Sequence, residues 1–458
     1  MNNNLYLSFL TLMSVILFIF VGGDFLLLVY YSSLYFIYLR FSNLKYLALM
    51  LGGIAMGPLL YYKVVGGREQ TLSGAWLNEQ TIPIALSFVA LQFCLFVARE
   101  QRSGQIFRYS RIQILFAVNF IPQLIAGPIL PVRDFLEKNA SLVAGFRHRF
   151  FYPMAFFGFA LFMKIFLAEW LLILIDLGSS NLDRLTNIEA VFLLISFYFF
   201  IYFDFLSYSL IAVSISSLLG FRMLWNFMAP YRACSLPEFW RRWHISLYVC
   251  FKEAIYQPLT QVVPSVFAVF VVFMISGLWH GIGFGFILWG LWHAFGVCVC
   301  RIYARLGRRR LNRWLGWVLT QLFVLIGWAF FWLNDVEDLM LFFEKIASPD
   351  IVLPVSIAFH FPFVDNLGFV FAASSIGLGL NLVFFLCVCI FFLYFFDRTL
   401  LRYIGEPLAA ANDARDYADV WGFPKEIPSS IVSLGIALGL FSVITAGQGI
   451  TRYVYFNF

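Results

Sequence analysis

A chain of 458 residues that is 62% hydrophobic and only 12% charged carries about half the charge of a water-soluble domain, where roughly 25% of residues are Asp, Glu, Lys or Arg. That is too little to cover a soluble fold of this length, so the composition excludes one and points to a polytopic membrane protein. The formal net charge of +6 does not indicate nucleic acid, because the excess lies in short loops between apolar runs, where Lys and Arg mark the cytoplasmic side.

A helix needs about 20 apolar residues to cross the hydrocarbon core. On that length, spans are expected at roughly 5–21, 24–40, 45–62, 81–98, 113–131, 150–177, 188–219, 262–278, 282–300, 315–333, 368–396 and 429–448. The expected fold class is therefore all-α, a membrane bundle of roughly ten to twelve transmembrane helices, in one domain over residues 1–458. Interfacial or re-entrant helices are expected between the spans. The first run, Leu5 to Val21, lacks a basic leader and a small-residue cleavage site, so it reads as a retained membrane segment. Runs longer than 25 residues imply tilt or a break. Arg99, Arg102, Arg108 and Arg111, and the cluster Arg301, Arg305, Arg308, Arg309, Arg310 and Arg313, read as cytoplasmic flanks that can touch anionic membrane lipids. Seven cysteines show neither metal-ligand nor disulfide spacing, so no metal is expected and they read as small buried hydrophobes. No internal repeat is evident, which weighs against an inverted-repeat transporter.

Three regions depart from plain spans. Asn119 to Pro128 carries two prolines and a glycine in an apolar context. It reads as a broken or re-entrant segment lining a cavity, or as a proline-kinked span. In residues 235–260, Ser235 and Glu238 have capping-box spacing and Pro237 falls in the first turn. The helix expected there places Trp240, His244, Leu247 and Phe251 on one face. With Arg241, Arg242, Lys252 and Glu253 it is too charged to span, and lies at the interface or lines a funnel. The polar stretch from Asp397 to Ser430 can face either side.

Two of the five histidines stand among tryptophans in this apolar chain, and ionisable groups in membrane bundles usually face an interior path. His280, in Gly277-Leu278-Trp279-His280-Gly281, can take a proton from a hydroxyl and return it to a leaving group, or simply bond between helices. His244 adjoins Arg241 and Arg242, whose guanidinium forks suit phosphate, or which anchor the helix to headgroups. His293, thirteen residues after His280, would lie on another face of an unbroken helix. His148, between two arginines, reads as an interfacial flank, and His360 sits in a loop-like stretch. Asp204, in the middle of an apolar run, requires a partner, such as an arginine, a tyrosine hydroxyl or a histidine, and reads first as a structural ion pair and second as a proton-transfer group.

Together Ile82 to Phe88, Pro122 to Pro128, Ile201 to Phe205, Pro237 to Leu247 and Gly277 to Ala294 resemble the membrane-bound O-acyltransferase family, in its bacterial polysaccharide-acetylating branch. The motif-bearing core is residues 80–295. The resemblance implies a helical bundle around a central tunnel in the bacterial cytoplasmic (inner) membrane. It implies catalysis by His280, with His244 as a second tunnel residue. It also implies cytoplasmic acetyl-CoA as acyl donor, a polysaccharide acceptor outside, and a separate extracytoplasmic acetyltransferase as partner protein. In that frame Arg241, Arg242 and Trp240 are expected to hold the donor, and Asp204, Trp279 and Ser246 to support the site. Lys252-Glu253-Ala254 and Pro258-Leu259-Thr260-Gln261 stand where the branch usually has Arg-Asp-Tyr and Pro-Leu-Gly-Gly, and Ser207 and Leu210 replace a glycine and a second acid. The rival functions are D-alanyl transfer to teichoic acid, acylation of peptidoglycan, and a transporter or scaffold.

Overall fold

The computed structural model describes residues 3–20, 24–41, 46–73, 85–103, 109–139, 146–307, 311–348, 352–354, 370–372, 380–404 and 427–445. Ile82 to Ile84, Arg108, Arg308 to Arg310, His360 and the 405–426 part of the polar stretch lie outside the described residues, as does the side chain of His148. The described residues are helical apart from one three-residue parallel strand pair, β1 (Val352–Pro354) with β2 (Val370–Ala372).

In chain order the helices begin with α1 (Asn3–Phe20), α2 (Phe25–Phe41), α3 (Leu47–Ser73) and α4 (Leu86–Ser103). Three short helices follow, α5 (Arg111–Val118), α6 (Ile121–Ala126) and α7 (Val132–Lys138). Then come α8 (Phe146–Phe162), a π-turn (Met163–Ala168), α9 (Glu169–Ser179) and α10 (Asn187–Leu218). The central region holds α11 (Leu236–Arg242), α12 (Ile245–Phe251), a second π-turn (Lys252–Tyr256) and α13 (Gln257–Leu259). The remainder is α14 (Ser265–His280), α15 (Phe284–Arg305), α16 (Arg313–Trp332), α17 (Val336–Ala347), α18 (Leu380–Ile404) and α19 (Ser429–Thr445).

Among the described residues, four helical stretches are long and apolar enough to cross a membrane: Phe150–Ser179, Asn187–Leu218, Phe284–Arg305 and Arg313–Trp332. Leu5–Phe20, Phe25–Phe41, Met50–Tyr61, Ser265–His280 and Ser429–Ile444 are shorter apolar helices. The span expected at 113–131 is not one helix. Asn119 closes α5, Pro122 sits in the first turn of α6, and extended backbone leads from Gly127 into α7. That irregular backbone is buried and bonded: Gln92 Nε2 donates to the Leu130 carbonyl at 3.0 Å and to Gln123 Oε1 at 3.0 Å. Non-helical chain at membrane depth survives only with such partners.

Helix α10 is the axis of the bundle. Thr186 and Glu189 form a reciprocal capping box at its start, with bonds of 3.3 and 3.0 Å. Its 32 residues are apolar around nearly the whole circumference, and 78% of the apolar window is buried, as expected of a helix with neighbours on all sides. Glycines set two of the close helix contacts. Gly435 and Gly439 are four apart on α19 and meet Gly158 on α8, where an added Cβ would strike the Gly435 carbonyl oxygen. With little apolar gain between lipid-bathed helices, such small-residue seams carry association through backbone proximity. A Gly158→Leu variant is expected to lose the α8–α19 contact, read as a loss of monodisperse protein in detergent relative to wild type.

Candidate active site

The segment expected as one amphipathic helix after Ser235 is two helices meeting at His244. Ser235 Oγ accepts from the Glu238 amide at 3.3 Å, so the cap forms where the pattern places it. Glu238 closes it one residue further back, accepting from the Cys234 amide at 2.9 Å. Helix α11 then stops at Trp243, and His244 adopts left-handed backbone, φ 45° and ψ 56°. For a non-glycine residue this costs of order 1 kcal/mol and persists only where surroundings impose it. They do so here. The Ile245 amide donates to the Asn226 carbonyl at 2.9 Å and the Ser246 amide to Asn226 Oδ1 at 3.3 Å, while Met228 N donates to the Arg242 carbonyl at 3.0 Å. Ser246 Oγ accepts from Ile129 N at 3.0 Å, tying the joint to the extended chain after α6.

His280 is the last residue of α14, before Gly281. Helices α14 and α15 form a tight hairpin because Gly277 faces the Phe286 carbonyl and Gly290 the Phe273 carbonyl, where a Cβ would collide. The His280 imidazole is buried among aromatic rings, with centroids at 4.7 Å (Trp279), 4.9 Å (Phe331), 5.3 Å (Trp289) and 6.2 Å (Phe286). Trp279 also meets the His244 ring at 6.5 Å, and Phe205 meets His244 edge-on at 4.5 Å.

His244 and His280 line one cavity of about 340 Å³, within the size range of small-molecule sites, about 300–1,000 Å³. At a rise of about 1.5 Å per residue, the α14 wall from Val269 to His280 is about 16 Å long. Arg241, Lys252 and Arg301 also line it, and none of the lining residues is Asp or Glu. Arg301 sits at the α14 N-terminal end, where Nη1 donates to Tyr256 Oη at 2.6 Å and to the Ser265 carbonyl at 3.5 Å. His280 closes the other end of the same helix. Among the described residues Arg241 Nε has no hydrogen-bond partner, and neither does His244 Nε2. The cavity therefore couples an electropositive wall, suited to phosphate or carboxylate, to two imidazoles in an aromatic enclosure.

The expected site residues separate into two groups. His280, His244, Arg241 and Trp240 line the cavity. Trp279 touches both histidines from behind, and Ser246 fixes the His244 joint. Arg242 does not line the cavity. Its guanidinium is buried against Glu238, Nη2 at 2.9 Å and Nε at 3.1 Å, and donates to the Met228 carbonyl at 3.1 Å. The expectation that both arginines face one site is corrected: only Arg241 lines the cavity, because adjacent helical residues face different directions. Asp204 also lies outside the lining. Its partner is Lys164 Nζ at 2.8 Å, a residue type not anticipated, carried on the first π-turn, with Glu169 also on Lys164 at 3.0 Å.

An unbroken helix would separate His293 from His280, but the chain breaks at Gly281 and the hairpin brings both rings against Trp289, at centroid distances of 5.2 and 5.3 Å. His293 is fully buried and does not line the cavity. Lys252, Tyr256 and Arg301 also line the cavity, and the sequence motifs do not mark them as site residues. Their basic and aromatic character in a near-apolar wall was the available signal. No group of three or more His, Cys, Asp or Glu residues that could hold a metal occurs among the described residues.

Comparison with known proteins adds to this geometry. The chain is 32% identical over 232 residues to the peptidoglycan O-acetyltransferase of Helicobacter pylori, covering 48% of this chain and 44% of that one. It is 31% identical over 282 residues to a probable alginate O-acetylase of Pseudomonas aeruginosa, covering 59% and 53%. It is 24% identical over 284 residues to the teichoic acid D-alanyltransferase of Bacillus subtilis, covering 54% and 69%. The match thus spans about half the length of the first two relatives. The family model described as membrane-bound O-acyltransferase covers residues 24–337, including every cavity-lining residue. The chain belongs to the membrane-bound O-acyltransferase family.

Proposed function

We propose that this protein is an O-acyltransferase of the bacterial cytoplasmic membrane. It moves an acetyl or other short acyl group from cytoplasmic acetyl-CoA for O-acetylation of an extracytoplasmic polysaccharide. The observation that carries this reading is one cavity that holds His280 and His244 together with three cationic side chains and, among its lining residues, no carboxylate. Arg241, Lys252 and Arg301 would bind the phosphates of the donor, and the aromatic stretch toward His280 would admit its thioester arm. The α15 end bearing Arg301 and Arg305 is basic, which supports a cytoplasmic side there and donor entry from it.

His280 would act as general base. It takes the proton of an acceptor hydroxyl as that oxygen forms a bond to the thioester carbonyl carbon. The carbon–sulfur bond then breaks, and the proton passes to the departing thiolate to give the free thiol. His244, held by its strained joint, would line and polarise the path. A separate extracytoplasmic acetyltransferase would carry the group to the sugar. Peptidoglycan is the second reading for the acceptor, favoured by the 32% identity to the Helicobacter pylori enzyme. Labelled acetyl-CoA given to membranes, followed by separation of polysaccharide from muropeptide, distinguishes the two acceptors.

The two neighbouring arginines are expected to behave differently. Arg241→Gln should raise the donor KM about tenfold or more, the worth of a charge-assisted hydrogen bond of about 1.5–3 kcal/mol, with little change in thermal stability. Arg242→Gln should leave KM alone and lower stability, since Glu238 would lose its buried partner. Initial rates against donor concentration, together with a detergent melting curve, measure both effects.

A further inference from the structure

Arg99 reads in the sequence as one of several cytoplasmic-flank charges, yet its guanidinium is spent inside the protein. From α4 it grips Glu253 with two parallel bonds, Nε at 2.7 Å and Nη2 at 2.8 Å, while Nη1 reaches Asp134 on α7 at 2.6 Å. The Glu253 side chain is only 7% exposed. Glu253 belongs to the π-turn Lys252–Tyr256, whose first and last residues both line the cavity. Tyr256 in turn accepts from Arg301, whose guanidinium also lies over the Tyr256 ring at 5.0 Å. One turn further, Arg102 donates to Gln257. The Lys252–Arg301 side of the basic wall is thus tied to α4 and α7 through Arg99, which bridges the carboxylates of Glu253 and Asp134, and to α15 through the Tyr256 hydroxyl. π-turns of this kind are rare and often sit at functional sites, where the wider turn displaces side chains from α-helical positions.

We propose that Arg99 is a positioning residue for the donor end of the cavity. Its fork on Glu253, braced by Asp134, holds the π-turn so that Lys252, Tyr256 and Arg301 face the donor's phosphates. This rests on the reading of the cavity as the acyl-donor site. A planar fork gives direction as well as attraction, so a lysine cannot replace it fully.

The test uses the full-length protein in detergent with Arg99→Lys, Arg99→Gln, Glu253→Gln and the Arg99→Gln/Glu253→Gln double variant. Hydrogen exchange at residues 252–257 and acetyl-CoA kinetics are measured on each. The expected result is faster exchange at 252–257 and a donor KM raised about tenfold by either Gln variant, with kcat within twofold. The double variant should be no worse than Arg99→Gln alone, because the Arg99–Glu253 contact is already gone there. Arg99→Lys, the variant least liable to misfold, should fall between. Unchanged exchange at 252–257, effects that add, or a fall in kcat at constant KM would each overturn the proposal. If wild type bound no acyl-CoA while Arg99→Gln still accelerated exchange, the donor reading would fall, and with it the role in binding, although the latch itself would stand.

Discussion

Replacing His280 with alanine is expected to lower the acyl-transfer kcat by about 10²–10⁴-fold, the usual contribution of a positioned general base. The donor KM should change little, because the cationic groups that would bind phosphate lie on α11, the second π-turn and α15. The protein should stay folded. His280 is the C-terminal residue of α14 and its removal deletes no glycine contact of the hairpin. A variant that loses activity because α14 has shifted would also lose donor binding, so binding and turnover measured on the same preparation separate the two causes. His244→Ala should be milder in chemistry but should perturb the α11–α12 joint, where the Asn226, Met228 and Ile129 contacts would have to hold the left-handed backbone without the imidazole.

The second large effect concerns stability. Lys164 and Asp204 are both buried and 2.8 Å apart, and removing one partner of such a pair strands a charge at a cost of about 3–5 kcal/mol. Lys164→Met should therefore destabilise strongly, since Asp204 would be left without its cation. Replacing both groups, Lys164→Met with Asp204→Leu, should recover much of the loss, because apolar residues of similar volume often substitute for a buried pair at little cost, and the remaining partner, Glu169, is 20% exposed to solvent. Thermal unfolding of wild type, Lys164→Met, Asp204→Leu and the double variant in one detergent measures the cycle. If Asp204 served proton transfer, the double variant would regain stability but not activity. If it is structural, both return.

Much of the architecture could be read from the residues, and the reasons are local. Prolines at 122 and 128 and the glycine at 127 mark a broken segment because they act on their own backbone, and the structure breaks there. Ser235 caps α11 for the same reason. What remained illegible depends on distant partners. The break at His244 is imposed by Asn226 and Met228, and nothing within residues 240–248 announces it. Lys164 meets Asp204 across 40 positions and Arg99 meets Glu253 across 154, so composition alone made the first a puzzle and the second a flank charge. The seam of Gly435 and Gly439 likewise depends on a distant partner, Gly158. Arg241 and Arg242 look equivalent in sequence, and only helical phase and the position of Glu238 send one to the cavity and the other away.

The most direct test of the central claim is transfer of labelled acetyl from acetyl-CoA, supplied on the cytoplasmic side of inverted membrane vesicles, to base-labile ester in the lumenal polymer fraction. Vesicles carrying the wild-type protein should accumulate such ester, and vesicles carrying His280→Ala at equal protein level should fall at least about a hundredfold below them. Equal accumulation by the two, or none by wild type with acceptor and partner present, would contradict the account.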